Sequence, residues 1–221
     1  MDCIIFDCDG VLIDSEAVVL DVLADRFAAR VSAGEAVRTD IAGLLGLPLE
    51  AIAREIGQRH GVTFDDEWVH SANREVELAL HELDRAIPDV AWALGRIELP
   101  KAVVSNSRLD RVHGALQRTG LARYFGEAVF AAELVAAPKP APDVYRHAAA
   151  RLGYDPARCI AVEDSRAGVT AAVAAGLTVI GFTGGGHIPA GHADTQQRIG
   201  AVTSIASMRE LPETLARLTE N

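Results

Sequence analysis

The feature that most constrains this chain is a short apolar segment that runs directly into two aspartates. Residues 4–6 are Ile-Ile-Phe, and Asp7 and Asp9 follow on either side of one cysteine, before Gly10. The apolar run predicts a buried strand, and both carboxylates can converge in the loop where that strand ends. Carboxylates at the end of a buried strand need a positive partner, such as a metal ion. Taken alone, the Asp9-Gly10 pair also fits an ordinary helix cap and turn.

The remainder of the chain predicts a parallel sheet with one helical insertion. The strand-like runs are residues 3–6, 102–105, 128–131, 159–162 and 178–182, and helical patterns cover about 108–119, 142–152 and 165–175. Strands that alternate with helices indicate a parallel sheet covered on both faces. Residues 15–84 break this alternation, with helical segments near 15–31, 35–45, 48–60 and 65–84. A helical block after the first strand of an α/β domain predicts an inserted cap.

Polar residues follow the predicted strands, at the edge where open parallel sheets bind their ligands. In chain order they are Asp7 and Asp9, Ser105 and Asn106, Lys139, and Glu163 and Asp164. Each has a structural explanation as a helix cap or a stiff turn. Together they supply carboxylates, a hydroxyl group beside a helix N-terminus and one of only two lysines in the chain. This combination suits a divalent metal ion and a phosphoryl group at one site.

The same residues form four motifs in a characteristic order. The motifs are Asp7-Cys8-Asp9-Gly10-Val11, Ser105-Asn106, Lys139-Pro140 with Pro142-Asp143, and Glu163-Asp164-Ser165 with Gly168-Val169. In these motifs the chain resembles the haloacid dehalogenase superfamily, in particular its β-phosphoglucomutase-like branch. The resemblance implies an α/β fold with a Rossmann-like, doubly wound parallel sheet as core, formed by residues 1–14 and 88–221. It also implies an inserted α-helical cap domain at residues 15–87.

The resemblance further implies a chemical role for each motif. Asp7 would be the nucleophile that forms an aspartyl-phosphate. Asp9 would be the general acid that protonates the leaving group and then the base that activates water. The implied cofactor is Mg²⁺, and its implied ligands are Asp7, Asp9 through its backbone carbonyl, Glu163 and Asp164. The residues implied to bind phosphate oxygens are Ser105, Asn106 and Lys139.

Departures from the family's branches narrow the predicted reaction. Phosphonatases of this superfamily use a lysine in the cap, and residues 15–87 contain none. Haloacid dehalogenases lack the second aspartate of the first motif, which is present here as Asp9. Sugar phosphomutases carry a histidine in the hinge helix and an arginine in an early cap loop. The matching segments here, 16–20 and 42–47, contain neither. The sequence therefore predicts hydrolysis, with Asp9 free to activate water. A β-phosphoglucomutase-type phosphomutase and a catalytically silent binding protein are the alternatives.

The predicted substrate is a small phosphomonoester, namely a sugar phosphate or a phosphorylated sugar acid. Arg74 is the candidate contact from the cap, and His187 and His192 are weaker candidates near the predicted site. An excess of 31 acidic over 21 basic residues argues against nucleic-acid binding. No apolar run approaches the roughly 20 residues that span a bilayer, so no membrane association is expected. Three cysteines without disulfide or metal spacing predict a reduced, cytoplasmic protein, and a monomer is expected.

Overall fold

The computed structural model describes residues 1–31, 34–45, 47–186, 188 and 191–219. It divides into two compact units. The first, which we call the sheet unit, comprises Met1–Asp14 and Ala86–Asn221, and the second, the helical unit, is Ser15–Arg85.

The sheet unit contains six parallel strands in the order β3-β2-β1-β4-β5-β6. The strands are β1 Cys3–Asp7, β2 Lys101–Ser105, β3 Val129–Ala131, β4 Cys159–Glu163, β5 Thr178–Phe182 and β6 Thr203–Ile205. The predicted α/β fold with a parallel sheet is confirmed. Strand β6 was not predicted, because its three residues are mostly polar and too few to show a strand pattern.

The described part of the chain contains ten α-helices. They are α1 Ser15–Ala28, α2 Gly34–Ala42, α3 Leu49–His60, α4 Asp66–Glu82, α5 Val90–Leu94, α6 Leu109–Arg118, α7 Asp143–Leu152, α8 Arg166–Ala175, α9 His192–Ile199 and α10 Leu211–Thr219. The sequence patterns predict seven of these helices but not α5, α9 and α10. Helix α9 lacks an apolar stripe, because its one buried residue is Gln196. None of the described helices is both long and apolar enough to span a membrane.

Strand β1 is buried on both faces, which explains why its sequence is apolar without alternation. Ile4 and Phe6 pack into one hydrophobic cluster, while Cys3 and Ile5 pack into another on the opposite face. The sheet therefore lies between two apolar layers. Only the ends of its strands are available for polar chemistry.

The helical unit has a hydrophobic core of its own, built around three aromatic rings. The ring centroid of Phe27 lies 4.6 Å from that of Trp68 and 4.8 Å from that of Phe64. Asp65 is the N-cap of helix α4, and its carboxylate accepts a hydrogen bond from the Trp68 backbone N–H at 2.8 Å. This cap fixes the start of the helix that carries the central indole.

We expect Phe27→Ala to lower the free energy of unfolding by about 3–5 kcal/mol, because Phe27 is completely buried and its loss leaves a cavity between two rings. Leu78→Ala in the same unit is the control, since Leu78 is 62% exposed and its truncation should change stability by less than about 0.5 kcal/mol. Urea denaturation followed by tryptophan fluorescence measures both. Equal losses in the two variants would contradict the assigned core.

Candidate active site

The order of the strands brings the motif residues to one edge of the sheet. Asp7 ends β1, and its neighbours β2 and β4 end at Ser105 and Glu163. Asp164 follows β4, and Lys139 lies in the loop between β3 and α7. All five residues are buried, and none is more than 8% exposed. Five polar side chains from four separate segments of the chain thus share one buried region.

Lys139 lies between two carboxylates. Its Nζ donates to Asp7 Oδ1 at 2.6 Å and to Glu163 Oε1 at 2.6 Å. The hydroxyl of Tyr145 also donates to Glu163 Oε1, at 2.7 Å. Burial by itself would lower the pKa of Lys139, but the charges of Asp7 and Glu163 outweigh burial and raise it. Lys139 is therefore held as a cation, directly against the first aspartate of the chain's opening motif.

Asn106 fixes the backbone of Lys139 in two directions. Its Oδ1 accepts a hydrogen bond from the Lys139 N–H at 2.9 Å, and its Nδ2 donates to the Lys139 carbonyl at 3.1 Å. The side chain of Asn106 is therefore occupied in positioning Lys139. Of the polar groups of Asn106, the backbone N–H is the one that could serve the predicted phosphate contact.

Three carboxylates form a cluster that could hold a metal ion. One oxygen from each of Asp7, Glu163 and Asp164 lies within 4.8 Å of the others. Burial, followed by the charge of Glu163, raises the pKa of Asp7 well above its usual range, although Lys139 acts in the opposite direction. Three buried carboxylates with one ammonium group leave an excess of negative charge when ionised. A hard divalent cation with oxygen ligands fits this donor set.

Two glycines make room for the cluster. A Cβ added at Gly10 would lie 1.9 Å from Asp164 Oδ2, and one added at Gly168 would lie 1.9 Å from Glu163 Oε1. Gly10 also has a φ of +81°, which L residues other than glycine rarely adopt. The Asp164 carboxylate therefore lies directly against the loop that follows β1, where a side chain would exclude it.

Asp9 is held by three side chains that the sequence did not assign to it. Its Oδ2 accepts a hydrogen bond from Ser107 Oγ at 2.8 Å and a longer one from Ser105 Oγ at 3.5 Å. Its Oδ1 lies 3.4 Å from Nη2 of Arg111. The expectation that the missing histidine leaves Asp9 free is thus corrected, because β2, the loop after it and α6 each supply a partner. One signal for this contact was present in the sequence. Arg111 is a basic residue in the first turn of α6, where the helix dipole disfavours a cation, so a nearby carboxylate could have been expected.

The family model of the haloacid dehalogenase-like hydrolases matches residues 1–176, which include every residue of this cluster. The chain belongs to this family. Its predicted superfamily membership and its nature as a hydrolase are therefore confirmed.

Individual members of the hydrolase family resemble the chain over most of its length. The 6-phosphogluconate phosphatase of Escherichia coli is 27% identical over 218 residues, covering 96% of this chain and 94% of that protein. The fructose-1-phosphate phosphatase YqaB of Escherichia coli is 33% identical over 189 residues, covering 80% and 94%. A haloacid dehalogenase family hydrolase from Deinococcus radiodurans, solved with bound phosphate and sodium, is 31% identical with a TM-score of 0.88, covering 99% and 96%. These names support the predicted phosphatase class.

The remaining candidate substrate contacts of this hydrolase are not part of the carboxylate cluster. Arg74 is exposed on α4 of the helical unit. Its neighbour Asn73 lines a cavity of about 120 Å³ in that unit, together with Glu16 and several apolar side chains. His187, and Gly46 of the early cap loop, lie outside the described residues. His192 Nε2 is hydrogen-bonded to the Asp164 carbonyl at 2.6 Å.

We expect Gly10→Ala to weaken both the fold and the binding of divalent cations, because its Cβ would displace the Asp164 carboxylate. Gly153→Ala is the matched control: Gly153 has a φ of +78° but no atom within 4 Å of its added Cβ. Both variants bear the cost of a left-handed residue, about 1–2 kcal/mol. Thermal unfolding and Mn²⁺ titration measure the difference. Equal effects of the two substitutions on Mn²⁺ affinity would contradict the close packing at Gly10.

Proposed function

We propose that this protein is a Mg²⁺-dependent phosphatase that hydrolyses a small phosphomonoester through an aspartyl-phosphate. The observation that carries the proposal is the buried contact of the Lys139 ammonium with Asp7, beside the carboxylates of Glu163 and Asp164. Relatives named for 6-phosphogluconate and fructose 1-phosphate support a sugar phosphate or phosphorylated sugar acid as substrate.

Asp7 is the proposed nucleophile. One of its carboxylate oxygens attacks the phosphorus, the bond from phosphorus to the leaving oxygen breaks, and an aspartyl-phosphate forms. Lys139 lies at Asp7 Oδ1 and would stabilise the charge on the phosphoryl oxygens, together with the hydroxyl of Ser105 and the backbone N–H of Asn106. Glu163 holds Lys139 from the other side, so the ammonium group stays in place during the reaction.

The cation would be held by Asp7 and Asp164, by the backbone carbonyl of Asp9, and by Glu163 directly or through water. When bound, Mg²⁺ would supply positive charge against the phosphoryl oxygens and would favour the ionised form of Asp7. The second effect matters because burial and the neighbouring carboxylates raise the pKa of Asp7 in the protein alone.

Asp9 is the proposed acid and base. It gives its proton to the leaving alkoxide in the first step. In the second step it takes a proton from the water that attacks the aspartyl-phosphate, which releases inorganic phosphate and regenerates the Asp7 carboxylate. Ser107, in the loop between β2 and α6, and Arg111, in α6, hold the Asp9 carboxylate.

Asp7→Asn should reduce phosphate release by more than about 10³-fold while leaving the fold intact, since an amide is a poor nucleophile toward phosphorus. Asp25→Asn, at an exposed position of α1, is the control and should retain wild-type activity. A malachite-green assay over a panel of sugar phosphates and phosphorylated sugar acids with Mg²⁺ measures turnover. Substantial turnover by the Asp7 variant would refute the assigned nucleophile.

Asp9→Asn should separate the two steps when p-nitrophenyl phosphate is the substrate. Its leaving group needs no proton, so the first turnover should stay fast, while hydrolysis of the intermediate should slow by about 10²–10⁴-fold. Stopped-flow absorbance should then show a burst of one nitrophenolate per active site, and acid-quenched protein should carry hydroxylamine-labile phosphate. A slow, linear release from the first turnover onward would contradict the role in the second step.

The phosphomutase alternative makes a different prediction about products. Addition of a sugar bisphosphate to a sugar monophosphate would give an isomerised monophosphate with a mutase, whereas the proposed phosphatase gives free sugar and inorganic phosphate. Phosphorus NMR of the reaction mixture distinguishes the two. Absence of Mg²⁺-dependent phosphate release across the whole substrate panel would favour the catalytically silent alternative.

A further inference from the structure

Gln196 is a completely buried amide on α9, and it belongs to none of the four sequence motifs. A buried amide costs free energy unless its donors and acceptor are satisfied. Its Nε2 lies 2.9 Å from the Asp164 carbonyl, 3.1 Å from the Phe182 carbonyl and 3.3 Å from the Glu163 carbonyl. Its Oε1 accepts a hydrogen bond from Ser204 Oγ at 2.9 Å. One side chain therefore joins residues of three neighbouring strands.

These carbonyl groups lie where the sheet's own hydrogen bonds end. Glu163 and Phe182 are the last residues of β4 and β5, and Asp164 follows β4. Backbone carbonyls beyond the last ladder bonds need other donors when they are buried. Gln196 supplies those donors, at the edge of the sheet that carries the carboxylate cluster.

A second side chain of α9 acts on the same peptide group. His192 lies one helical turn before Gln196, on the same face of the helix, and its Nε2 is hydrogen-bonded to the Asp164 carbonyl at 2.6 Å. The carbonyl of Asp164 thus has two side-chain partners from one helix. Helix α9 therefore fixes the position of this carbonyl, while the carboxylate of Asp164 lies near those of Asp7 and Glu163.

Strand β5 has a glycine, Gly181, where it packs against Gln196. A Cβ added at Gly181, in β5, would lie 2.1 Å from Gln196 Oε1 and 2.6 Å from Ser204 Oγ. The amide consequently occupies space that any side chain at position 181 would fill. An apolar residue at position 196 could also fill this space, but it would leave the strand-end carbonyls without their donors.

We infer that Gln196, assisted by His192, is a positioning residue that fixes the backbone of Asp164 and so aims its carboxylate at the cation site. This inference rests on the proposed function, because the cation site is part of it. Groups that orient a metal ligand without touching the metal alter affinity by about 10- to 100-fold when they are removed. Gln196 acts through the Asp164 peptide and makes no contact with the reacting atoms.

The test is direct binding of Mn²⁺ without substrate, measured by the electron paramagnetic resonance signal of the free ion. Gln196→Met keeps the length of the side chain but removes its donors, and we expect a dissociation constant about 10- to 100-fold higher than wild type. Gln197→Met is the matched control, because Gln197 is the exposed neighbour on the same helix. Its affinity for Mn²⁺ should be unchanged. Saturating Mg²⁺ should restore most of the kcat of the Gln196 variant, which a general loss of structure would not allow.

A second variant keeps the inference testable if Gln196→Met does not fold. His192 is only partly buried, so His192→Leu should fold and should weaken Mn²⁺ binding in the same direction by several-fold, as expected for one lost orienting contact. Wild-type Mn²⁺ affinity in the folded Gln196 and His192 variants would overturn this inference alone. Absence of Mn²⁺ binding in wild type, or binding that survives Asp164→Asn, would instead overturn the cation site of the proposed function.

Discussion

The buried ammonium group of Lys139 is the interaction on which the rest of the site depends. Asp7 and Glu163 end adjacent strands, and two buried carboxylates at that spacing would repel each other strongly. Lys139 lies within 2.6 Å of both and offsets that repulsion. Its removal would leave buried charges without compensation, so the lysine links the stability of this sheet edge to its chemistry.

Absence of side chains is as important here as their presence. Gly10 leaves room for the Asp164 carboxylate, Gly168 for that of Glu163, and Gly181 for the amide of Gln196. Each glycine lies on a different element, and each allows a polar group to approach a backbone that would otherwise exclude it. Charged groups can therefore lie close together at this edge of the sheet because the glycines let them approach the backbone. It also explains why the glycines of the motifs stand beside acidic residues.

Much of the sheet unit could be predicted because its information is local. The apolar run of β1 ends abruptly in charge, and each later motif follows a run that reads as a strand. Elements without a hydrophobic pattern were missed: β6 has three residues, and α9 presents an amide where a helix usually presents an apolar face. The groups that hold Asp9 were missed for another reason. Ser107 and Arg111 are ordinary residues in sequence, and their role depends on where α6 begins relative to β1.

The sequence alone determined the family, the parallel sheet and the residues that meet at its edge. Strand ends and short motifs consist of consecutive residues, so they can be recognised without the tertiary structure. Tertiary structure decided how these residues share their contacts. It assigned the side chain of Asn106 to the backbone of Lys139, the Asp9 carboxylate to Ser107 and Arg111, and the strand-end carbonyls to Gln196. Such pairings join residues that are up to 102 positions apart. These pairings are fixed by the packing of the strands and helices, and no periodic pattern in the sequence predicts that packing.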